Sequence, residues 1–254
     1  MSSPIDLAID VGSGAQRRSI AVQYRAGRAP GLFWLGGFKS AMSGAKATAL
    51  DAMGATAGLA VTRFDYSGHG VSGGHFEDGT ISRWLEEAAA VYDTTEGPQI
   101  VVGSSMGGWL ALLLARRQVQ RGAPFRGLVL IAPAVDMTST LMPARMTAAQ
   151  QAQLAAQGYY QRASAYGDGP YTIGRALLED GATHSLFGSV IETGCPVHIL
   201  QGGRDTDVPP SHAQKLVSHI LHDPVTFTLI PDGDHRLSRN EDLEVLRRAM
   251  MEMV

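Results

Sequence analysis

The chain has 254 residues, 44% of them hydrophobic and 18% charged, with a formal net charge of -3. That length accommodates a single large α/β domain, and the scattered, slightly acidic charge supplies no basic face for nucleic acid or for an anionic membrane surface. The one cysteine, Cys195, cannot form an internal disulfide and precedes an apolar run, where it reads as a small buried hydrophobe.

The first residues lack the basic and apolar regions of a leader peptide, and no apolar run approaches the ~20 residues of a membrane helix. The expected location is the cytoplasm, with no stable membrane insertion. Residues 5–11 alternate in polarity and can pair with a strand at 19–24 as an antiparallel hairpin. Strands are then expected at 31–35, 60–64, 99–103 and 127–132, separated by helices at 45–57, 82–94 and 105–120. After an interruption, strands at 197–201 and 225–230 alternate with helices at 212–221 and 239–253, whose starts are set by the capping boxes Ser211/Gln214 and Ser238/Glu241. Short β-rich runs alternating with helices define crossover units and a mostly parallel sheet.

Residues 136–193 break this alternation with helix formers, including 147–161 and 173–178, and read as a helical cap inserted over the sheet. Ordinary crossover helices lying beside the sheet are the rival reading. The chain is therefore one domain, 1–254, with the cap inside it.

The most informative segment is Gln99-Ile100-Val101-Val102-Gly103-Ser104-Ser105-Met106-Gly107-Gly108-Trp109, an apolar strand that turns at Ser105 into an apolar helix. A serine at such an apex is lifted clear of the sheet, and the crowding around it requires glycine two residues before and two after. Gly70-Val71-Ser72-Gly73-Gly74 repeats the spacing but lacks the strand and helix on its flanks.

A serine hydroxyl needs a general base, and the base needs an acid to hold its tautomer. Asp205 follows the strand at 197–201, and His235 follows the strand at 225–230, so a parallel sheet opens both loops on the same edge as the elbow. Asp207 and Asp234 are alternative acids, with turn hydrogen bonding as their ordinary role. The oxyanion donors expected beside Ser105 are the backbone amides of Met106 and Phe38, with Gly37 as the alternative to Phe38. Met137, Leu141, Met142 and Met146 are candidates for an apolar acyl channel under the cap, although methionines at this spacing also suit plain core. His184, in the cap, is a candidate substrate contact.

Asp65-Tyr66-Ser67-Gly68-His69 mixes Asp and His, yet no second ligand cluster accompanies it, and a structural turn is the expectation. Gly12-Ser13-Gly14 lacks the third glycine of a dinucleotide loop, and no Walker lysine motif occurs. Neither a metal nor a cofactor is expected.

Taken together, these motifs resemble the serine α/β-hydrolase superfamily from Leu32 to the final helix. Phe64-Asp65-Tyr66-Ser67-Gly68, the elbow from Gly97 to Leu110, and Asp234-His235-Arg236 are similar to the branch containing the mitochondrial acyl-glucuronide esterase and palmitoyl-protein thioesterase. The resemblance implies an α/β-hydrolase fold and a serine carboxylesterase or thioesterase with Ser105, Asp205 and His235 in the catalytic positions. Its substrate would be a small ester or acyl thioester, or an acylated protein. A peptidase is the enzymatic rival, for which Asp168, Glu179 and Asp180 are the acids able to meet an amino terminus, and a non-catalytic receptor on the same fold is the other.

Overall fold

The structure is a computed structural model that describes residues 3–163 and 169–254. Its main sheet is built from β1 (Ile5–Val11), β2 (Arg18–Arg25), β3 (Arg28–Leu35), β4 (Leu59–Phe64), β5 (Gln99–Ser104), β6 (Gly127–Ile131), β9 (Val197–Gly202) and β10 (Val225–Ile230). They lie in the order β1-β2-β4-β3-β5-β6-β9-β10. The alternating strand at Ile5–Val11 does pair antiparallel with β2, which in turn pairs antiparallel with β4; every other neighbour is parallel.

The central strands read as continuous apolar runs because both of their faces are covered. Phe33, Leu35, Val101, Leu128, Leu130 and Ile199 pack into a core with Trp84 of α2 (Ile81–Tyr92) and Trp109 of α3 (Met106–Gln120). Their neighbours Leu32, Trp34, Ile100, Val102, Val129 and Leu200 point the other way, toward Leu50 of α1 (Ala45–Ala57) and Met250 of α8 (Asn240–Met251). Period-two geometry splits each strand between two cores in this way.

The helix starts correct two expectations. The helix α7 (Pro210–Val217) begins at Pro210, one residue before the expected Ser211 cap, because proline has the fixed φ and the missing N–H that suit a first helical position. Ser238 does not cap α8 either: its hydroxyl donates to the Arg236 carbonyl, Arg239 is the N-cap, and the Asp242 carboxylate accepts the Arg239 N–H at 3.0 Å.

Between β6 and β9 the chain forms α4 (Leu141–Ala144), α5 (Ala148–Gln157), the antiparallel pair β7 (Tyr159–Arg162) and β8 (Tyr171–Gly174), and α6 (Arg175–Ala182). The expected helix at 147–161 stops early, since Gly158 caps it in the left-handed region at φ 78°, and the expected helix at 173–178 starts only after β8. Asp136 fastens the base of this segment. Its buried carboxylate accepts from the Leu186 and Phe187 amides and from the Ser185 hydroxyl, closing the two ends of the insertion on each other.

Candidate active site

Ser105 stands at φ 55°, ψ -117°, a conformation disfavoured for any residue with a Cβ. Its backbone is over-determined: Ser105 N–H donates to the Ile131 carbonyl at 2.8 Å, and its own carbonyl accepts from Gly108 and Ala134. Those bonds hold the hydroxyl at the sheet edge where the loops after β9 and β10 arrive.

His235, after β10, places Nε2 3.1 Å from Ser105 Oγ and Nδ1 2.8 Å from Asp205 Oδ2. With Nδ1–H donating to the carboxylate, Nε2 is left as an acceptor for the serine hydroxyl. Asp205 is fully enclosed while the imidazole keeps 18% of its side chain exposed. The other Asp205 oxygen accepts from the Asp207 and Val208 amides, both at 2.8 Å, and Gln201 Nε2 lies 3.3 Å from Oδ2. The carboxylate is thereby fixed in its loop before any substrate arrives.

The alternative acids have other work. Asp207 faces Arg145 at 2.6 Å and Arg162 at 3.6 Å, joining the β9 loop to the inserted segment, and Asp234 accepts from the Arg236 and Leu237 amides of its own turn. Ser72, the second serine with glycine spacing, is tied down as well, accepting from Ala21 N–H and donating to the Asp65 carbonyl.

Phe38 lies beside Ser105 because Gly37 lets the chain come close: a Cβ on Gly37 would stand 3.3 Å from Ser105 Cβ. Among the described residues neither the Phe38 nor the Met106 amide has an acceptor in the protein. His69, which sequence reasoning set aside, accepts the Lys39 N–H at Nε2 while its Nδ1 meets the Ser67 carbonyl at 3.1 Å, buttressing the loop that carries Phe38. Burial pushes the His69 imidazolium down, which favours the neutral form this bonding needs. No local sequence signal links His69 to Lys39, because the contact spans 30 residues.

Two cavities share Ser105 and His235 in their walls. The first, of about 150 Å³, is walled by Met137, Leu141 and Met142 of the inserted segment, with Phe38, Tyr171 and Arg145. Met146, expected here, lies elsewhere: it is half-buried against the main core beyond the end of α4, where the Met146 amide closes a turn on the Pro143 carbonyl. His184 is likewise no cavity residue. Its Nε2 lies 2.7 Å from the Ser82 hydroxyl, which itself donates to Asp180. Glu179 and Asp180 line neither cavity, and Asp168 lies outside the described residues.

The second cavity, of about 280 Å³, is walled by Trp34, Ser40, Lys46, Arg236 and Ser238 with the first turn of α1. Among the described residues no cluster of three His, Cys, Asp or Glu side chains is arranged to hold a metal ion. Asp65 instead accepts from the Met42 and Val71 amides as a buried turn carboxylate.

A mostly parallel sheet of this order, with a strained serine after β5 and an acid and a histidine after its last two strands, defines an α/β-hydrolase. The chain belongs to the alpha/beta hydrolase family, whose model matches residues 29–248. It is 33% identical over 230 residues to the mitochondrial palmitoyl-protein thioesterase ABHD10 of Mus musculus, an alignment covering 90% of this chain and 76% of that one. The Homo sapiens ABHD10 is 29% identical over 90% of this chain and 74% of its own. Among solved structures, a protein of Agrobacterium vitis S4 described as a hydrolase superimposes with a TM-score of 0.96 at 48% identity, covering all of both chains. Mouse ABHD10 superimposes with a TM-score of 0.86 at 29% identity, covering 99% of this chain and 98% of that one.

Proposed function

We propose that this hydrolase cleaves carboxylic esters or thioesters by a Ser-His-Asp mechanism, acting on small acyl substrates or on an acylated protein. The observation that carries the reading is the chain of contacts Ser105 Oγ to His235 Nε2 and His235 Nδ1 to Asp205 Oδ2, at 3.1 and 2.8 Å. Both distances fall within reach for proton transfer and tautomer control. The thioester side of the reading is supported by the likeness to palmitoyl-protein thioesterases.

In this mechanism Ser105 attacks the acyl carbonyl while His235 takes the hydroxyl proton, and Asp205 stabilises the resulting imidazolium. The Met106 and Phe38 amides, which have no acceptor among the described residues, receive the developing oxyanion. Collapse of the tetrahedral intermediate breaks the bond to the alcohol or thiol, which leaves with the proton from His235. Water, deprotonated by the same imidazole, then hydrolyses the acyl-Ser105 ester. The Met137, Leu141 and Met142 cavity receives the acyl chain.

Hydrolysis of p-nitrophenyl acetate, butyrate, octanoate and palmitate by the wild type and by Ser105→Ala tests the reading. The expected result is turnover in the wild type that falls by at least about 10³-fold in the variant. Acyl chains short enough for a cavity of about 150 Å³ should give the highest kcat/KM. Equal rates in the two proteins would remove Ser105 from the mechanism.

A further inference from the structure

An oxyanion donor is effective only if it is already in place, and the loop that carries the Phe38 amide has little backbone rigidity of its own. Two glycines, Gly36 and Gly37, lead into it. The Ser40 N–H closes a turn on the Gly37 carbonyl at 3.0 Å, and inside that turn Lys39 stands at φ 57°. The left-handed region suits glycine or asparagine, so a lysine held there points to a role for its side chain.

That side chain reaches two rings. Lys39 Nζ lies 4.9 Å from the centroid of Tyr171 and 5.5 Å from that of Phe76, within the range of a cation–π contact. Phe38 meets the same two rings edge to face, at 4.9 Å for Phe76 and 5.9 Å for Tyr171, and Trp84 packs against it at 5.8 Å. Trp84 belongs to α2 and Phe76 to the short helical turn Phe76–Asp78, both parts of the main fold. Tyr171 opens β8 and so comes from the inserted segment. One ring of the insertion thus touches both the residue that offers the amide and its neighbour in the strained conformation.

We propose that Tyr171 is a positioning residue for the oxyanion hole: its ring, packed against Phe38 and overlaid by the Lys39 ammonium, holds the Phe38 amide where the acyl oxygen becomes negative. The inference rests on the serine-hydrolase reading and adds to it a second task for the inserted segment, which then governs the rate of the acyl step as well as the room for the acyl chain. Tyr171, Phe38 and Lys39 also line the cavity of about 150 Å³, so a plain wall is the competing account. The two accounts part in kinetics. A wall contacts the substrate in ground and transition states alike and moves KM, whereas an oxyanion donor is felt only in the transition state and moves kcat.

The test measures kcat and KM for p-nitrophenyl butyrate and Ki for trifluoromethyl propyl ketone, whose adduct with the serine places an oxyanion in the same hole. In that adduct the Ser105 oxygen joins the ketone carbon, the hydroxyl proton passes to His235, and nothing leaves. Tyr171→Leu should lower kcat by on the order of tenfold and raise Ki in proportion, with KM within about twofold of wild type. Tyr171→Phe keeps the ring and should match the wild type in kcat, KM and Ki. Lys39→Asn removes the ammonium but suits the left-handed position, so it should show the same kinetic loss with an unchanged urea midpoint, which separates positioning from stability. A Tyr171→Leu protein with unaltered kcat, with a loss confined to KM, or with a lower kcat and an unchanged Ki overturns the positioning role and leaves the esterase reading standing. If Tyr171→Leu does not fold, a Lys39→Asn protein with wild-type kcat overturns it in the same way. A wild type that neither hydrolyses the ester nor binds the ketone overturns both.

Discussion

Gly103 and Gly107 meet across the elbow so closely that a Cβ on Gly103 would stand 2.4 Å from the Gly107 carbonyl oxygen. The same contact closes the chain around Ser105 between β5 and α3. Gly107 in turn sits over the end of β3, where an added Cβ would fall 2.0 Å from the Leu35 oxygen and 2.5 Å from that of Gly36. Backbone atoms on both sides cannot yield as a flexible side chain would.

Gly107→Ala is accordingly expected to cost upward of about 3 kcal/mol of stability, in the range of severe overpacking against backbone. Urea unfolding followed by tryptophan fluorescence measures it. A midpoint equal to that of the wild type would contradict the packing described for the elbow.

Asp205 and Asp207 differ by two residues and by their surroundings, and their variants should differ accordingly. Asp205→Asn leaves the imidazole without a carboxylate at Nδ1 and should lower kcat on p-nitrophenyl butyrate by on the order of 10³–10⁴-fold. Asp207→Asn weakens contacts to Arg145 and Arg162 and should leave kcat within about tenfold of wild type. A reversal of this ranking would make Asp207 the catalytic acid.

Acid should weaken the fold through its buried histidines. Burial lowers the pKa of His69, and also those of His198 and His212, below 6.5 in the folded state, so the unfolded chain takes up protons first as pH falls. Their stabilising contribution is complete above about pH 6.5 and is lost as pH drops through the folded values. The urea midpoint should decline between pH 7 and pH 5, and His69→Asn should make that decline shallower by removing one of the three groups. An equal decline in the variant would show that His69 is not linked to stability.

Much of the site was legible before the fold was known, for identifiable reasons. Ser105 is announced by a local pattern, glycines flanking a serine between an apolar strand and an apolar helix, and Asp205 and His235 by their places after the last two strands of a parallel sheet. The β1–β2 hairpin followed from alternation alone. Other features depend on contacts distant in sequence. The ends of the β7–β8 pair at 159–161 and 173–174 fall inside stretches read as helix, because so few residues cannot establish a period, and Met146 packs against the core through contacts distant in sequence. The cation-lined cavity assembles Trp34, Lys46 and Arg236 from three separate elements, and the Asp136 clasp closes over about 50 residues. No window of sequence contains either.

Cys195 offers a check on the core that is independent of catalysis. It is buried, its thiol is pushed up to about 11 by desolvation, and the Thr193 hydroxyl lies 3.8 Å away. Iodoacetamide at pH 8 should leave it unmodified in the folded protein and alkylate it fully in urea, as read by intact mass. Rapid alkylation without denaturant would place the thiol at the surface.

The central claim is that Ser105, activated by His235, is the nucleophile. Its most direct test is labelling with a fluorophosphonate followed by peptide mapping, in the wild type and in His235→Ala. The account predicts a single adduct on Ser105, formed at least about 10²-fold more slowly in the variant. An unlabelled folded protein, or an adduct on Ser72 or any other serine, would contradict it.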